Sequence, residues 1–228
     1  MKEKFSVRYL ACMGMFAALA YVAVLLAKPI PDVEGFLSYE PKDAVIVIAG
    51  FIFGPVSSAI LSLLVSFIEM LTISNTGPWG FLMNTLASCA FTVPAAWIYS
   101  KKRSMSGAIL GLGVGVVFMA VCMVVWNYIV TPYYMSTGTL TDVAEKRKDV
   151  SSMLVSLFLP FNLIKGGINA GLSMLLYKPV VGALRRMGLA APSGGKKSRF
   201  SPSFTVFALL VLATFVLLFL VMLNVSRG

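Results

Sequence analysis

The chain is built of long apolar runs that short polar segments separate, and no segment alternates apolar and polar residues as a half-buried strand does. A helix needs roughly 20 apolar residues to cross a hydrocarbon core about 30 Å thick, and six runs reach this length. Because only helices satisfy the backbone of such runs in lipid, the pattern predicts an all-α membrane protein. The runs are Val7 to Ala27, Ala44 to Ile73, Pro78 to Ser100, Gly107 to Thr131, Ser151 to Tyr177 and Ser203 to Leu223.

The run from Ala44 to Ile73 is long for one span and short for two, and Gly54-Pro55 lies near its centre. Proline removes a helical hydrogen bond, and its ring clashes with the preceding turn. We therefore predict two short helices, about 44 to 54 and 56 to 73, joined by a tight turn. One long kinked helix is the alternative. With the hairpin, six spans precede residue 180 and a seventh follows near the C-terminus.

Composition agrees with a protein that lies in the lipid bilayer. Hydrophobic residues make up 58% of the 228 residues and charged residues 12%, whereas soluble domains carry about 25% charged residues. The formal charge of +10 does not indicate a nucleic-acid partner, because the basic residues cluster beside the apolar runs. Membrane topology is the better explanation of this charge.

The Lys and Arg residues predict the orientation. With the N-terminus inside, the inner segments hold twelve of these residues, in the clusters Lys2 to Arg8, Lys101 to Arg103 and Lys178 to Arg199. The outer segments then hold six, largely offset by acids such as Glu40 and Asp43. The positive-inside rule thus favours a multi-pass protein of the cell membrane, with a cytoplasmic N-terminus and an outer C-terminus.

We divide the chain into a six-helix membrane domain over 1–185, a basic cytosolic linker over 186–202, and an extra C-terminal helix over 203–228. In the linker, Gly195-Lys196 is followed by Lys197, where a phosphate-binding loop needs Ser or Thr. The chain therefore has no nucleotidase of its own.

Catalytic and metal-binding residue types are scarce. The chain contains no histidine, and its three cysteines lie in apolar runs without a CxxC pair. We therefore predict no catalytic residues, no metal site and no cofactor.

A polar face interrupts the last run before residue 180. Asn162, Lys165 and Asn169 are spaced by three and four residues, which places them on one side of a helix, and Gly166-Gly167 thins the helix beside them. A charge near mid-span costs about 2.5 to 3.5 kcal/mol on insertion scales, so it usually faces a cavity or a partner. The face is either a ligand site or a structural ion pair.

Glu69 is the one acid well inside an apolar run, so it could pair with Lys165. Its position near the outer end of its helix does not favour a direct pair with a mid-span lysine. It could instead be the proton-relay carboxylate of a secondary transporter.

Amides and aromatic residues crowd the outer end. Asn84 and Asn127 interrupt apolar helices, and each can pair with a ligand edge or with a neighbouring helix. The aromatic residues suggest either an interfacial belt or the walls of an outward-facing pocket. They are Phe36, Tyr39, Trp79, Phe81, Trp126, Tyr128, Tyr133 and Tyr134.

The loop Leu37-Ser-Tyr-Glu-Pro-Lys-Asp43 precedes the short second helix. It could cover such a pocket as a lid or merely connect two helices. Asp43 is a plausible N-cap for the helix that follows.

Several of these stretches together resemble the riboflavin-specific S component of energy-coupling factor (ECF) transporters, in order from about residue 5 to 185. Leu159-Pro-Phe-Asn-Leu-Ile-Lys-Gly166 is the most specific, and the Phe-Gly-Pro turn is shared more loosely. The others are Leu37 to Asp43, Ala49 to Pro55, Thr76-Gly-Pro78 with Asn84, and Asn127 to Tyr133.

The resemblance implies a six-helix membrane subunit that captures riboflavin from outside and works with a transmembrane coupling protein and two cytosolic ATPases. Asn127, Asn162 and Lys165 match motif residues expected to hydrogen-bond the flavin, and the 37–43 loop, with Tyr39, matches the one that closes over it. Riboflavin is then the transported ligand.

Three features depart from the family pattern. The expected Ala-x-x-x-Ala docking face of the first helix has its nearest candidates in Gly14-x-x-x-Ala18 and Ala23-x-x-x-Ala27. Glu69 stands where a basic residue is expected, and the seventh span has no counterpart.

The alternative function is a stand-alone ion-coupled secondary transporter of a small amphipathic or vitamin-like substrate; a membrane enzyme has little support.

Overall fold

A computed structural model describes residues 6–74, 76–136, 139–186 and 202–226 of the chain. Within these residues the regular secondary structure is helical, apart from an isolated bridge between Val33 and Leu37. A π-helix, Leu154–Phe158, joins the sixth helix to the seventh. The helices are α1 Val7–Ala27, α2 Lys42–Phe53, α3 Pro55–Thr72, α4 Gly77–Lys101, α5 Met105–Met135, α6 Leu140–Met153, α7 Leu159–Arg186 and α8 Pro202–Val225.

The predicted hairpin is confirmed. Gly54 has φ 99°, a conformation that glycine adopts without strain, and Pro55 begins α3, where a missing N–H costs nothing. Lys42 at the start of α2 contacts Glu69 near the end of α3, so the two helices are antiparallel. One long kinked helix is therefore excluded.

The short helix α2 is the centre of the bundle. It packs against α1, α3, α4 and α7, and most of its residues are buried. Its 12 residues span about 18 Å, which is less than a membrane crossing. Six helical segments of the described chain are long and apolar enough to cross a membrane, and α2, predicted as one of two short helices, is not among them.

Two local predictions are also corrected. Asp43 is not an N-cap, because α2 begins at Lys42, two residues before the predicted start, and the Asp43 carboxylate accepts a hydrogen bond from the Ser88 hydroxyl inside the bundle. Hydropathy also misses the polar helix α6, which lies N-terminal to the predicted sixth span. Thr139 caps α6 through the backbone N–H of Asp142.

Close packing of α4 and α5 depends on glycine. A Cβ built on Gly111 would lie 2.7 Å from the carbonyl oxygen of Ala95, and one on Gly115 would overlap the carbonyl oxygen of Phe91. Small residues four apart let two helix backbones approach closely in lipid.

We expect Gly115→Ala to destabilise the protein by about 1 to 3 kcal/mol, because the added methyl must push α4 and α5 apart. Gly113→Ala in the same helix is the matched control, since a Cβ there meets no atom within 4 Å. The thermal unfolding midpoint in detergent should fall for Gly115→Ala alone. Equal midpoints for the two variants would contradict this account of the packing.

The glycines of α7 face two different helices. A Cβ on Gly166 would lie 2.9 Å from the Met119 side chain of α5, whereas Gly167 lies against the Phe215 ring of α8. Further along, Gly171 lies against Leu212. Thus α8 packs directly on α7, although the predicted linker lies outside the described residues between 187 and 201.

Candidate functional site

A cavity of about 220 Å³ opens at the end of the bundle where α1 ends and α2 begins. We call this end the cavity end. Its walls come from α1, α3, α4, α5, α7 and the loop that joins α1 to α2. All five predicted binding residues line it, namely Tyr39, Asn84, Asn127, Asn162 and Lys165.

Glu40 is the hub of the polar contacts. Its carboxylate accepts hydrogen bonds from Lys165 Nζ at 2.8 Å and Asn84 Nδ2 at 2.6 Å, and Lys42 Nζ lies 3.3 Å away. Its backbone carbonyl accepts from Asn169 Nδ2 at 3.1 Å. The loop that carries Glu40 is thereby tied to α4 and α7.

The ionised form of Glu40 is stabilised by its lysine neighbours. Burial by itself raises the pKa of this carboxyl, but Lys165 and Lys42 together outweigh it and lower the pKa below its usual range. Glu40 is therefore ionised at neutral pH, and its carboxylate offers only hydrogen-bond acceptors.

Three charged residues at the junction of the loop and α2, Glu40, Lys42 and Asp43, are buried inside the bundle. Lys42 forms an ion pair with Glu69, so the acid that pairs with Lys165 is Glu40 and not Glu69. Lys165 itself indicated that a buried partner exists, since a mid-span cation needs one.

The two asparagines on α5 and α7 use their amide groups in similar ways. The nitrogen of Asn162 donates to the Phe158 carbonyl at 2.8 Å, and that of Asn127 donates to the Met123 carbonyl at 2.7 Å. The amide oxygen of Asn127 accepts from Thr131 at 2.9 Å. Both amides are thus fixed by their own helices beside the cavity, with their oxygens available as acceptors.

The predicted polar face of α7 divides into two parts. Asn162 and Lys165 line the cavity, whereas Asn169 holds the backbone of Glu40 and thus supports the loop. Ser173, one turn further, donates to the Asn169 carbonyl at 2.6 Å.

Half of the predicted aromatic cluster lines the cavity. Phe36, Tyr39, Trp79 and Tyr134 are in its wall. The Tyr39 hydroxyl is buried and has no hydrogen-bond partner in the described part of the chain. Trp79 also stacks on Tyr133, with centroids 6.4 Å apart and an interplanar angle of 16°.

Three of the remaining aromatic residues have contacts elsewhere in the bundle. Phe81 meets Phe67 edge to face with ring centroids 6.0 Å apart. The Arg147 guanidinium lies 5.5 Å from the Tyr128 ring centroid and 5.9 Å from that of Tyr133, which attaches α6 to α5.

Gly14 and Ala18 lie on the exposed side of α1, away from the cavity lining. A Cβ on Gly14 would meet no atom within 4 Å, and the opposite side of α1 is buried through residues such as Met13 and Phe16. A partner helix can therefore reach this side of α1.

The cavity can bind a planar, uncharged polar molecule. Aromatic rings form part of its wall, and amides and one lysine supply hydrogen bonds. In the described residues, no group of three His, Cys, Asp or Glu side chains is placed to hold a metal ion.

Comparison with known proteins identifies similar chains. Residues 8–177 match the family described as ECF transporter, substrate-specific component. The riboflavin transporter RibU of Staphylococcus aureus (strain TCH60) is 32% identical over 179 residues, which cover 78% of this chain and 93% of that protein. The riboflavin transporter FmnP of Bacillus subtilis (strain 168) is 26% identical, over 70% of this chain and 85% of that protein.

A solved structure is also similar. It is the S component of a bacterial ECF transporter, with a TM-score of 0.63 and 29% identity, and the match covers 78% of this chain and 97% of that one. The family match ends at residue 177, before α8 begins.

Proposed function

Because this chain belongs to the family of ECF transporter substrate-specific components, we propose that it captures riboflavin in the cavity and delivers it across the membrane. The observation that carries the proposal is the convergence of Tyr39, Asn84, Asn127, Asn162 and Lys165 on one cavity. The relatives are named as transporters, and the chain is accordingly a transport subunit and not an enzyme.

The chemistry of the cavity suits riboflavin, whose flat ring has a uracil-like edge with alternating donors and acceptors. The amide oxygens of Asn127 and Asn162 can accept from the ring N–H. Lys165 has three N–H donors and uses one for Glu40, so it can donate to a ring carbonyl while it keeps its ion pair. The aromatic walls can stack on the ring faces.

The loop between α1 and α2 would control access. It contributes Phe36, Tyr39 and Glu40 to the cavity wall, and Glu40 ties it to Lys165. A ligand that contacts Lys165 and Tyr39 together would therefore connect α7 to this loop and favour the closed arrangement.

The cavity end would face outward. The N-terminal end of α1 lies at the opposite end of the bundle, where Tyr9 meets Ser57 beside the Gly54 turn, and the positive-inside rule places the N-terminus in the cytoplasm. Riboflavin would then enter from outside, and a transmembrane coupling protein with two cytosolic ATPases would drive its release inward.

Uptake measurements test this proposal against a stand-alone ion-coupled carrier. In cells that lack other riboflavin transporters, we expect uptake through this chain only when the coupling protein and ATPases are also present. Uptake by the chain alone, abolished by an ionophore and by Glu69→Gln, would overturn the proposal and support the carrier.

We further expect Gly14→Leu and Ala18→Leu to leave riboflavin binding within about twofold of wild type, because both positions are on the side of α1 that does not line the cavity. Uptake should fall at least about tenfold, since bulky side chains would keep the coupling protein away from α1. Leu25→Phe, further along α1 at an exposed position, is the control. Normal uptake by both test variants would show that another face docks the partner.

A further inference from the structure

The helix α8 reaches the cavity end of the bundle. It runs antiparallel to α7, because Leu212 lies against Gly171 and Phe215 against Gly167. Most of its surface is exposed, but two residues of its last two turns, Phe219 and Leu223, are only 5% and 7% exposed. The end of α8 thus holds two of the three buried residues of this helix, and Ala208 is the third.

What buries the end of α8 is partly the loop between α1 and α2. The Phe219 ring lies 5.7 Å from that of Tyr39, at 53° between the planes. Phe219 and Leu223 share one apolar cluster with three loop residues, Val33, Leu37 and Tyr39, and with the facing side of α7. We call this contact between α8 and the loop the α8 brace.

The loop segment in the brace is a compact turn. Val33 and Leu37 each donate a backbone hydrogen bond to the other's carbonyl at 3.0 Å, and Val33 is fully buried. Glu34 and Gly35 between them have positive φ, at 52° and 75°. The segment is therefore a compact unit, and the apolar contacts with α7 and α8 hold it in place.

Tyr39 connects the brace to the cavity. The residue lines the cavity, and its buried hydroxyl has no hydrogen-bond partner among the described residues. A buried hydroxyl without a partner is unfavourable, so a ligand that hydrogen-bonds to it gains affinity. This gain requires that the ring is held in position. Phe219 is the aromatic side chain that packs on this ring.

We infer that α8 adds a positioning residue to the binding site: Phe219 holds Tyr39 and the 33–39 loop closed over the cavity and slows ligand release. The identity of the ligand, riboflavin, rests on the proposed function. The contact between α8 and the loop rests on the packing of Phe219 and Leu223 and does not depend on that identity.

The test compares Phe219→Ala and the milder Phe219→Leu with Leu220→Ala, a neighbour that is 55% exposed and outside the brace. The first measurement is hydrogen–deuterium exchange of the 33–39 segment in full-length, ligand-free protein. Exchange should be about 3- to 10-fold faster in Phe219→Ala, as loss of an aromatic pair contact predicts. It should be faster by a smaller but measurable factor in Phe219→Leu and unchanged in Leu220→Ala. Exchange in the second half of α4, beyond the residues that line the cavity, should be unchanged in all three.

The second measurement is the riboflavin dissociation rate, which should rise by a similar factor in the same order of variants. Unchanged exchange of 33–39 in Phe219→Ala would overturn the inference, and so would faster exchange with an unchanged dissociation rate. If wild-type protein binds no riboflavin, the proposed function fails, and the exchange measurement alone decides whether α8 positions the loop. Phe219→Leu keeps the test decisive if the alanine variant does not fold.

Discussion

Replacing Lys165 by methionine should weaken riboflavin binding about 30- to 150-fold while the protein still folds. The change removes a charge-assisted hydrogen bond to the ligand, and such bonds contribute about 2 to 3 kcal/mol. Folding should survive because Glu40 keeps Lys42 at 3.3 Å and Asn84 at 2.6 Å, and methionine nearly preserves the volume of the lysine stem. Riboflavin titration and the thermal unfolding midpoint of ligand-free protein measure the two effects separately.

Lys148→Met is a suitable control, because it removes a lysine from the exposed surface of α6. It should change neither the riboflavin affinity nor the thermal unfolding midpoint. If Lys165→Met instead yields little folded protein, or unfolds at a much lower temperature with unchanged affinity, then the Lys165–Glu40 pair is structural and the lysine does not serve the ligand.

Replacing Lys42 by methionine should have the largest effect on stability. Lys42 is fully buried and lies between the carboxylates of Glu40 and Glu69. Its loss leaves Glu69 without a cation, and an uncompensated buried charge costs about 3 to 5 kcal/mol. We expect a low yield of monodisperse protein and a strongly lowered unfolding midpoint.

A second substitution distinguishes charge from packing. In Lys42→Met with Glu69→Gln, a neutral amide replaces the carboxylate that has lost its cation, so much of the lost stability should return. Lys146→Met is the surface control, because its pair with Asp149, at 3.6 Å, is partly exposed and contributes little. A Lys42→Met protein as stable as the control would refute the view that these buried charges compensate one another.

The sequence predicted the elements that hydropathy and backbone chemistry determine. The α2–α3 hairpin followed from Gly54-Pro55, and α1 was predicted with its observed bounds. Helical spacing put Asn162 and Lys165 on one face, and the structure places both at the cavity. These inferences are local, because they depend on residues within a few turns of one another.

Long-range pairing was not predictable. Lys165 and Glu40 are 125 residues apart in the chain, and Glu40 looked like an ordinary loop charge because its sequence neighbours are polar. The packing of α8 was equally hidden, since the helix is apolar all round and nothing in its periodicity marks Phe219 as the residue that meets Tyr39. The polar helix α6 was not predicted, because a hydropathy search detects only apolar helices.

The most direct test of the proposed function is flavin binding by the purified full-length chain. Protein extracted in mild detergent should carry a yellow ligand or take up riboflavin at one site per chain, with quenched flavin fluorescence. Asn162→Leu should bind riboflavin at least about tenfold more weakly, because its amide lines the cavity. Absence of flavin binding by folded wild-type protein, in several detergents and in lipid, would contradict the assignment of this cavity to riboflavin.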